Sequence, residues 1–305
     1  MKKEFVIGQS MKSANTYMIK TAFQLATKIK AKAVMIYADP LEDLHFEERF
    51  SKKLDLYLLS RKKKIDANGD EKDALQQHCK AIIPLPKIHL SRMSVIKLAT
   101  TMALSLDYLE PGDKAVCVVG PADLGLLDHI QILDTARESE IVMSKGLIGI
   151  GESVQPEVFQ AVLHLCMELA EKGREGKPIG TIFVVGDPEK VLPLTKQMII
   201  NPFKGYDEEE RNLLSPALKE TIREFAGLDG AFIVDGDGII LTAGCYLGAA
   251  SEEENLPRGL GSRHLAAAGI TNLTNAVAFV ISESSGDVRI FKNGKILTQI
   301  EKTSR

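Results

Sequence analysis

Two textures of hydrophobic patterning follow one another along the chain. From 12 to 31, apolar residues recur at helical spacing (Tyr17, Ile19, Ala22, Phe23, Ala26), which predicts a helix. The compact apolar run Ala33-Val34-Met35-Ile36-Tyr37 predicts a buried strand, closed by a turn at Ala38-Asp39-Pro40. The rhythm repeats with a strand at Ala81-Ile82-Ile83-Pro84, a helix from Ser91 to Leu106, a turn at Pro111-Gly112-Asp113 and a strand from Lys114 to Val119. Strands alternating with helices predict an α/β domain with a parallel sheet over residues 1–148.

Gly146, Gly149 and Gly151 mark the change of texture, so a second domain is expected over 149–305. An amphipathic helix is predicted from Pro156 to Lys172, with Val158, Val162, Leu165 and Leu169 on one stripe. Ile179 to Val185 reads as a buried strand. Ser215-Pro216 predicts a helix start, with Ser215 as N-cap and Pro216 in the first turn. The chain then turns β-rich. Asp235-Gly236-Asp237-Gly238 and Ser284-Ser285-Gly286-Asp287 each separate two apolar runs and predict hairpins, and Asn293-Gly294 predicts another turn. This half reads as α+β with a mixed or antiparallel central sheet.

Composition narrows the setting. The 305 residues carry a formal net charge of -3, which argues against a general nucleic-acid binder. No run of about 18 apolar residues suggests a membrane span, and the N-terminus shows no signal-peptide pattern. Cys79, Cys117, Cys166 and Cys245 lie far apart, a spacing that fits a reducing cytoplasm better than a zinc site or a disulfide framework. The basic run Arg61-Lys62-Lys63-Lys64 reads as a solvated segment end.

Candidate chemistry concentrates in the second half. Gly259-Leu260-Gly261-Ser262-Arg263-His264 precedes a short alanine-rich helix at 265–268. Glycines admit a ligand close to the backbone, amides at a helix start favour an anion, and Arg263 adds a planar donor fork. That pattern suits a triphosphate cradle, although a plain tight turn would use the same glycines. Asp229-Gly230-Ala231 opens a strand, and Ser282-Glu283 closes another. A carboxylate at each place suits a shared divalent metal, although each taken alone is better read as a solvated turn or hairpin-end residue.

In combination and order, these pieces resemble the diadenylate cyclase domain family. Leu228-Asp229-Gly230-Ala231 resembles its DGA motif, Gly261-Ser262-Arg263-His264 its G-T-R-H-R motif, and Val280-Ile281-Ser282-Glu283 its V-S-E strand end. Glu175 to Asp187 resembles the family's helix-to-strand passage. The resemblance implies a nucleotidyltransferase that joins two ATP molecules into cyclic di-AMP and releases two pyrophosphates. It implies Asp229, Arg263 and His264 as catalytic residues. Nucleotide contacts are implied for Gly230, Ala231, Leu247, Gly261, Ser262 and Ser282 as well. A divalent cation, Mn2+ or Mg2+, is implied at Asp229 and Glu283. Two domains must face each other, so a homo-oligomer is expected.

One position departs from the motif: the second arginine, after His264, is Leu265. The archaeal branch resembles this sequence there, and Arg258 is a candidate for the missing charge. A non-catalytic sensor of ATP or cyclic di-AMP is the alternative that Leu265 keeps open. Residues 1–148 resemble the domain that accompanies archaeal members, itself similar to the C-terminal domain of pyruvate kinase, on the αβ rhythm and on Glu110 to Gly120. Neither a membrane anchor nor a DNA-binding region is expected.

Overall fold

A computed structural model describes residues 2–41, 54–62, 79–137, 150–249, 257 and 259–302. The chain divides into two compact units, Met1–Glu138 and Ser139–Arg305. Arg258, Lys63, Lys64 and the glycines Gly146 and Gly149 lie outside the described residues.

Unit 1 is built on a five-stranded sheet of order β3-β2-β1-β4-β5. Its strands are β1 (Ala33–Tyr37), β2 (Asp55–Ser60), β3 (Cys79–Pro84), β4 (Lys114–Val119) and β5 (His129–Asp134). β1 is buried at every residue, as a central strand with both faces covered requires. Helices α1 (Lys2–Lys28) and α2 (Arg92–Ser105) pack against the sheet. Ser91 caps α2 by accepting from the Ser94 amide.

The sheet is not wholly parallel, which corrects the expectation. β1, β2, β3 and β4 are parallel, but β5 runs antiparallel beside β4. The connection 120–128 holds only a short 3-10 turn and is too brief for a parallel crossover, which takes a dozen or more residues. Arg61 is not simply solvated either. Its Nε donates to Asp39 at 2.6 Å, at the carboxyl ends of β1 and β2.

Unit 2 carries a seven-stranded mixed sheet of order β12-β11-β10-β6-β8-β9-β7. These are β6 (Ile182–Val185), β7 (Thr195–Gln197), β8 (Ala231–Val234), β9 (Ile240–Leu247), β10 (Val277–Ile281), β11 (Val288–Lys292) and β12 (Lys295–Ile300). Among the described strands of this sheet, only the β6/β8 pair is parallel. Alternation along the strands builds two layers. Ile182, Val184, Ile233, Ala278 and Val280 form one core with Ala267, Ala268 and Ile270 of helix α5 (Ser262–Leu273). On the other face, Phe279 meets Phe159 of α3 (Pro156–Lys172), with ring centroids 5.1 Å apart. Helices thus cover both faces of the central strands.

All three predicted turns form. Asp235 Oδ1 accepts from the amides of Asp237 and Ile239, tying the β8–β9 hairpin. Asn293 and Gly294 both take positive φ, 50° and 72°, as the tight β11–β12 connection requires. The helix after Ser215 begins differently from the expectation. A 3-10 turn over Pro216–Leu218 leads into α4 (Lys219–Phe225), and Ser215 makes no side-chain cap bond.

The sheet order decides where chemistry gathers. β10 is antiparallel to β6, and β6 is parallel to β8. The end of β10, the start of β6 and the start of β8 therefore share one edge. Ile281 N donates to Thr181 O, and Ile182 pairs with Ala231, at that edge. Gly180, Asp229 and Glu283 stand together there, though far apart in sequence.

Candidate active site

Asp229 precedes β8 and is held out into solvent by the bend that Gly230 permits. Gly230 has φ +106°, and a Cβ there would lie 2.6 Å from the Gly244 carbonyl carbon, so both conformation and space require glycine. Ala231 is fully buried as the first residue of β8. Glu283 lies two residues past the end of β10. Ser282, beside it, is buried, and its amide donates to Asp287 O.

The predicted short helix at 265–268 is longer and starts earlier. α5 opens at Ser262, so Ser262 and Arg263 occupy its first turn, with Gly261 as the capping residue. Gly261 has no side chain to satisfy the first-turn amides. The His264 amide turns back to Gly261 O at 3.0 Å, while the Ser262 and Arg263 amides are left to face whatever enters, together with the positive end of the helix dipole. A cleft of about 960 Å³ opens here, lined by Gly261, Ser262, Arg263, Ser282 and Glu283 among others.

Arg263 unites the two predicted carboxylates. Its Nη1 donates to Glu283 Oε2 at 2.9 Å and its Nη2 to Asp229 Oδ1 at 3.3 Å. The Asp229 and Glu283 side chains are 83% and 59% exposed, so each pair contributes only about 0–1 kcal/mol. A cation and an anionic ligand can therefore replace these bonds at little cost. Both carboxylates converge on one positive group with hard oxygen donors, a donor set that fits Mg2+ or Mn2+. Among the described residues, no three His, Cys, Asp or Glu side chains converge to hold a metal. Such an ion would complete its shell with ligand phosphates and water, as Mg2+ commonly does.

His264 also lines the cleft, but its surroundings are those of a buried group. It is 6% exposed, and its Nε2 lies 2.8 Å from Arg289 Nη1. Arginine can only donate, so Nε2 accepts and Nδ1 carries the proton. Burial first, then the charges of Arg289 and Arg263, push its pKa down to about 4. His264 is thus neutral at pH 7. Leu247 ends β9 with its side chain in the hydrophobic core, and it does not line the cleft.

Sequence reasoning missed Gly180. A Cβ there would sit 2.7 Å from Arg263 Nη1 and 2.8 Å from Glu283 Cβ. The guanidinium could swing away, but Glu283 Cβ is set by the backbone of the turn after β10. Gly180→Ala is expected to lower turnover by about 10- to 100-fold, since displacements of about 1 Å cost that much. Steady-state kinetics checks it, and wild-type kcat would remove Gly180 from the site. Arg289 and Asp287 were also missed. The available signal was an arginine within an apolar strand, Val288-Arg289-Ile290.

Known proteins resemble this chain over both units. Residues 168–296 match the family described as DisA bacterial checkpoint controller nucleotide-binding. Residues 14–140 match the family described as “Probable sensor domain DacZ_P”. A diadenylate cyclase of Methanocaldococcus jannaschii is 33% identical over 93% of this chain and 96% of its own length. The chain belongs to the diadenylate cyclase family. A diadenylate cyclase of Haloferax volcanii is 33% identical over 68% of this chain and 74% of its own. The cyclic di-AMP synthase CdaA of Bacillus subtilis is 40% identical over 22% of this chain and 24% of its own. As a diadenylate cyclase family member, the chain is a nucleotidyltransferase with its nucleotide-binding domain in unit 2. Among the described residues, no helix is long and apolar enough to cross a membrane.

Proposed function

We propose that this chain condenses two ATP molecules into cyclic di-AMP and releases two pyrophosphates, with Asp229, Ser262, Arg263 and Glu283 carrying the reaction. The observation behind this reading is the meeting of Asp229 and Glu283 on the Arg263 fork, beside the uncapped start of α5. In each half of the reaction, the 3′-oxygen of one ATP bonds to the α-phosphorus of the other. The bond from that phosphorus to the bridging oxygen breaks, its electron pair leaves on pyrophosphate, and the 3′-hydroxyl releases its proton. Two such events close the ring.

Catalysis of this kind is positioning plus charge neutralisation. The Ser262 and Arg263 amides at the start of α5 and the Arg263 guanidinium hold phosphate oxygens. Asp229, held beside Arg263, would face the attacking 3′-hydroxyl. Asp229 and Glu283 would hold Mg2+ or Mn2+, which when bound offsets charge on the phosphates and makes the hydroxyl easier to deprotonate. His264, neutral and engaged by Arg289, supports the phosphate site rather than supplying a proton.

One site binds one ATP, and the ring needs two. Two copies must therefore face each other, which makes a homo-oligomer part of the reading. The four free cysteines fit a reducing cytoplasm, where ATP is abundant. Incubating the pure chain with ATP and Mn2+ or Mg2+, followed by mass analysis, tests the proposal. The expected product is cyclic di-AMP with two equivalents of pyrophosphate. ATP binding without product under either metal would leave only a nucleotide sensor.

A further inference from the structure

We propose that Arg289 on β11 supplies a second guanidinium to the triphosphate, in place of the arginine that Leu265 lacks, and that His264, Asp287 and Gln299 position it. The inference rests on the cyclase reading of the same cleft.

Arg289 lines that cleft together with Ser262, Arg263 and Glu283. Its side chain is largely buried, and three partners fix it from different directions. Nη1 donates to His264 Nε2 at 2.8 Å, Nε to Gln299 Oε1 at 3.0 Å, and Nη2 to Asp287 Oδ2 at 3.5 Å. Gln299 Nε2 also donates to Asp287 Oδ2 at 3.0 Å, and the Lys302 amide donates to Asp287 Oδ1 at 3.2 Å. The partners are themselves held. Arg289 and Gln299 are also directly opposite across β11 and β12, so the sheet sets their register.

This arrangement is built to present a charge rather than to cancel it. A guanidinium has five donors, and the three bonds use three of them. Two of its partners, His264 and Gln299, are neutral; among the described residues only Asp287 pairs with the charge, at 3.5 Å. The group is therefore oriented but incompletely neutralised beside the start of α5. A fixed fork loses little entropy when it binds phosphate oxygens, whereas a mobile cation must be ordered first. Lys177 also lines the cleft, but it is exposed on a turn.

His264 thereby gains a role its placement explains. It stands in the first turn of α5, next to Arg263, and its ring accepts from Arg289. It ties the helix that offers amides to the strand that offers the second charge. Protonation would turn its Nε2 into a donor facing another donor.

The test is the affinity of the full-length protein for inorganic tripolyphosphate, ATP and adenosine, measured calorimetrically alongside turnover. Arg289→Gln is expected to weaken tripolyphosphate and ATP at least tenfold, and to leave adenosine within twofold. Folded Arg289→Gln protein that binds tripolyphosphate within threefold of wild type overturns the proposal. Should that variant misfold, Arg289→Lys keeps the charge and stem but loses the fixed fork. A loss of threefold or more then supports the assignment, and wild-type affinity overturns it. The cyclase reading fails separately: wild type that binds tripolyphosphate, loses it on Arg289→Gln, yet makes no cyclic di-AMP, keeps the phosphate site and removes the reaction.

Discussion

Asp229→Asn is expected to cut cyclic di-AMP formation at least about a thousandfold while ATP binding stays within severalfold of wild type. The substitution keeps the shape of the side chain and removes its charge. The Asp229 side chain is 83% exposed and, among the described residues, pairs with Arg263 at 3.3 Å. An exposed pair of this kind is worth about 0–1 kcal/mol, so the fold should be unaffected. In the proposed reading the phosphate contacts lie elsewhere, on α5 and Arg263, and should persist. What disappears is half of the carboxylate pair that would hold the cation and the acceptor nearest the 3′-hydroxyl. Product analysis by mass, with calorimetric ATP binding and a melting curve, separates these effects. Equal turnover in variant and wild type refutes the assignment. An unfolded variant would instead mean that the carboxylate is structural, which its exposure argues against.

Much of this site was legible because its residues sit at the ends of strongly patterned elements. Asp229 precedes the apolar run 231–234, Glu283 follows the apolar run 277–281, and Ser262-Arg263-His264 stands beside glycines before an alanine-rich stretch. Periodicity places such ends to within about two to four residues. It does not place neighbours in a sheet. That Gly180 touches Arg263 and Glu283 depends on β6 lying between β10 and β8, a non-local order that no local pattern encodes. Arg289 was hidden for the same reason, since its partners His264 and Gln299 come from α5 and β12. The parallel expectation for unit 1 erred at β5 because alternation of strands and helices says little about an edge strand reached by a short connection. The residues of α5 assigned to a loop were misplaced because Gly261 ends the glycine-rich stretch by capping a helix, not by continuing a turn.

Arg263→Ala is expected to lower kcat/KM for ATP by about a thousandfold, with the fold intact. Arginines that clamp a transferring phosphoryl group contribute about 10³–10⁵ in rate, and here the lower end applies if Arg289 retains part of the phosphate grip. Arg263→Lys should recover little, because an ammonium cannot span both Glu283 at 2.9 Å and Asp229 at 3.3 Å in one plane. The same substitution should act in the opposite direction on the cation. Arg263 occupies the two carboxylates that Mn2+ would use, so without nucleotide the guanidinium competes with the metal. Its removal leaves Asp229 and Glu283 without their shared positive partner. Mn2+ binding to nucleotide-free Arg263→Ala is therefore expected to tighten by several fold, read by calorimetry or by Mn2+ paramagnetic resonance. A purely structural arginine would weaken both ligands together. Loss of phosphate affinity coupled to gain of metal affinity identifies a residue that changes partners, leaving the carboxylates to the cation as it takes the phosphates. Turnover within tenfold of wild type would remove Arg263 from the reacting centre.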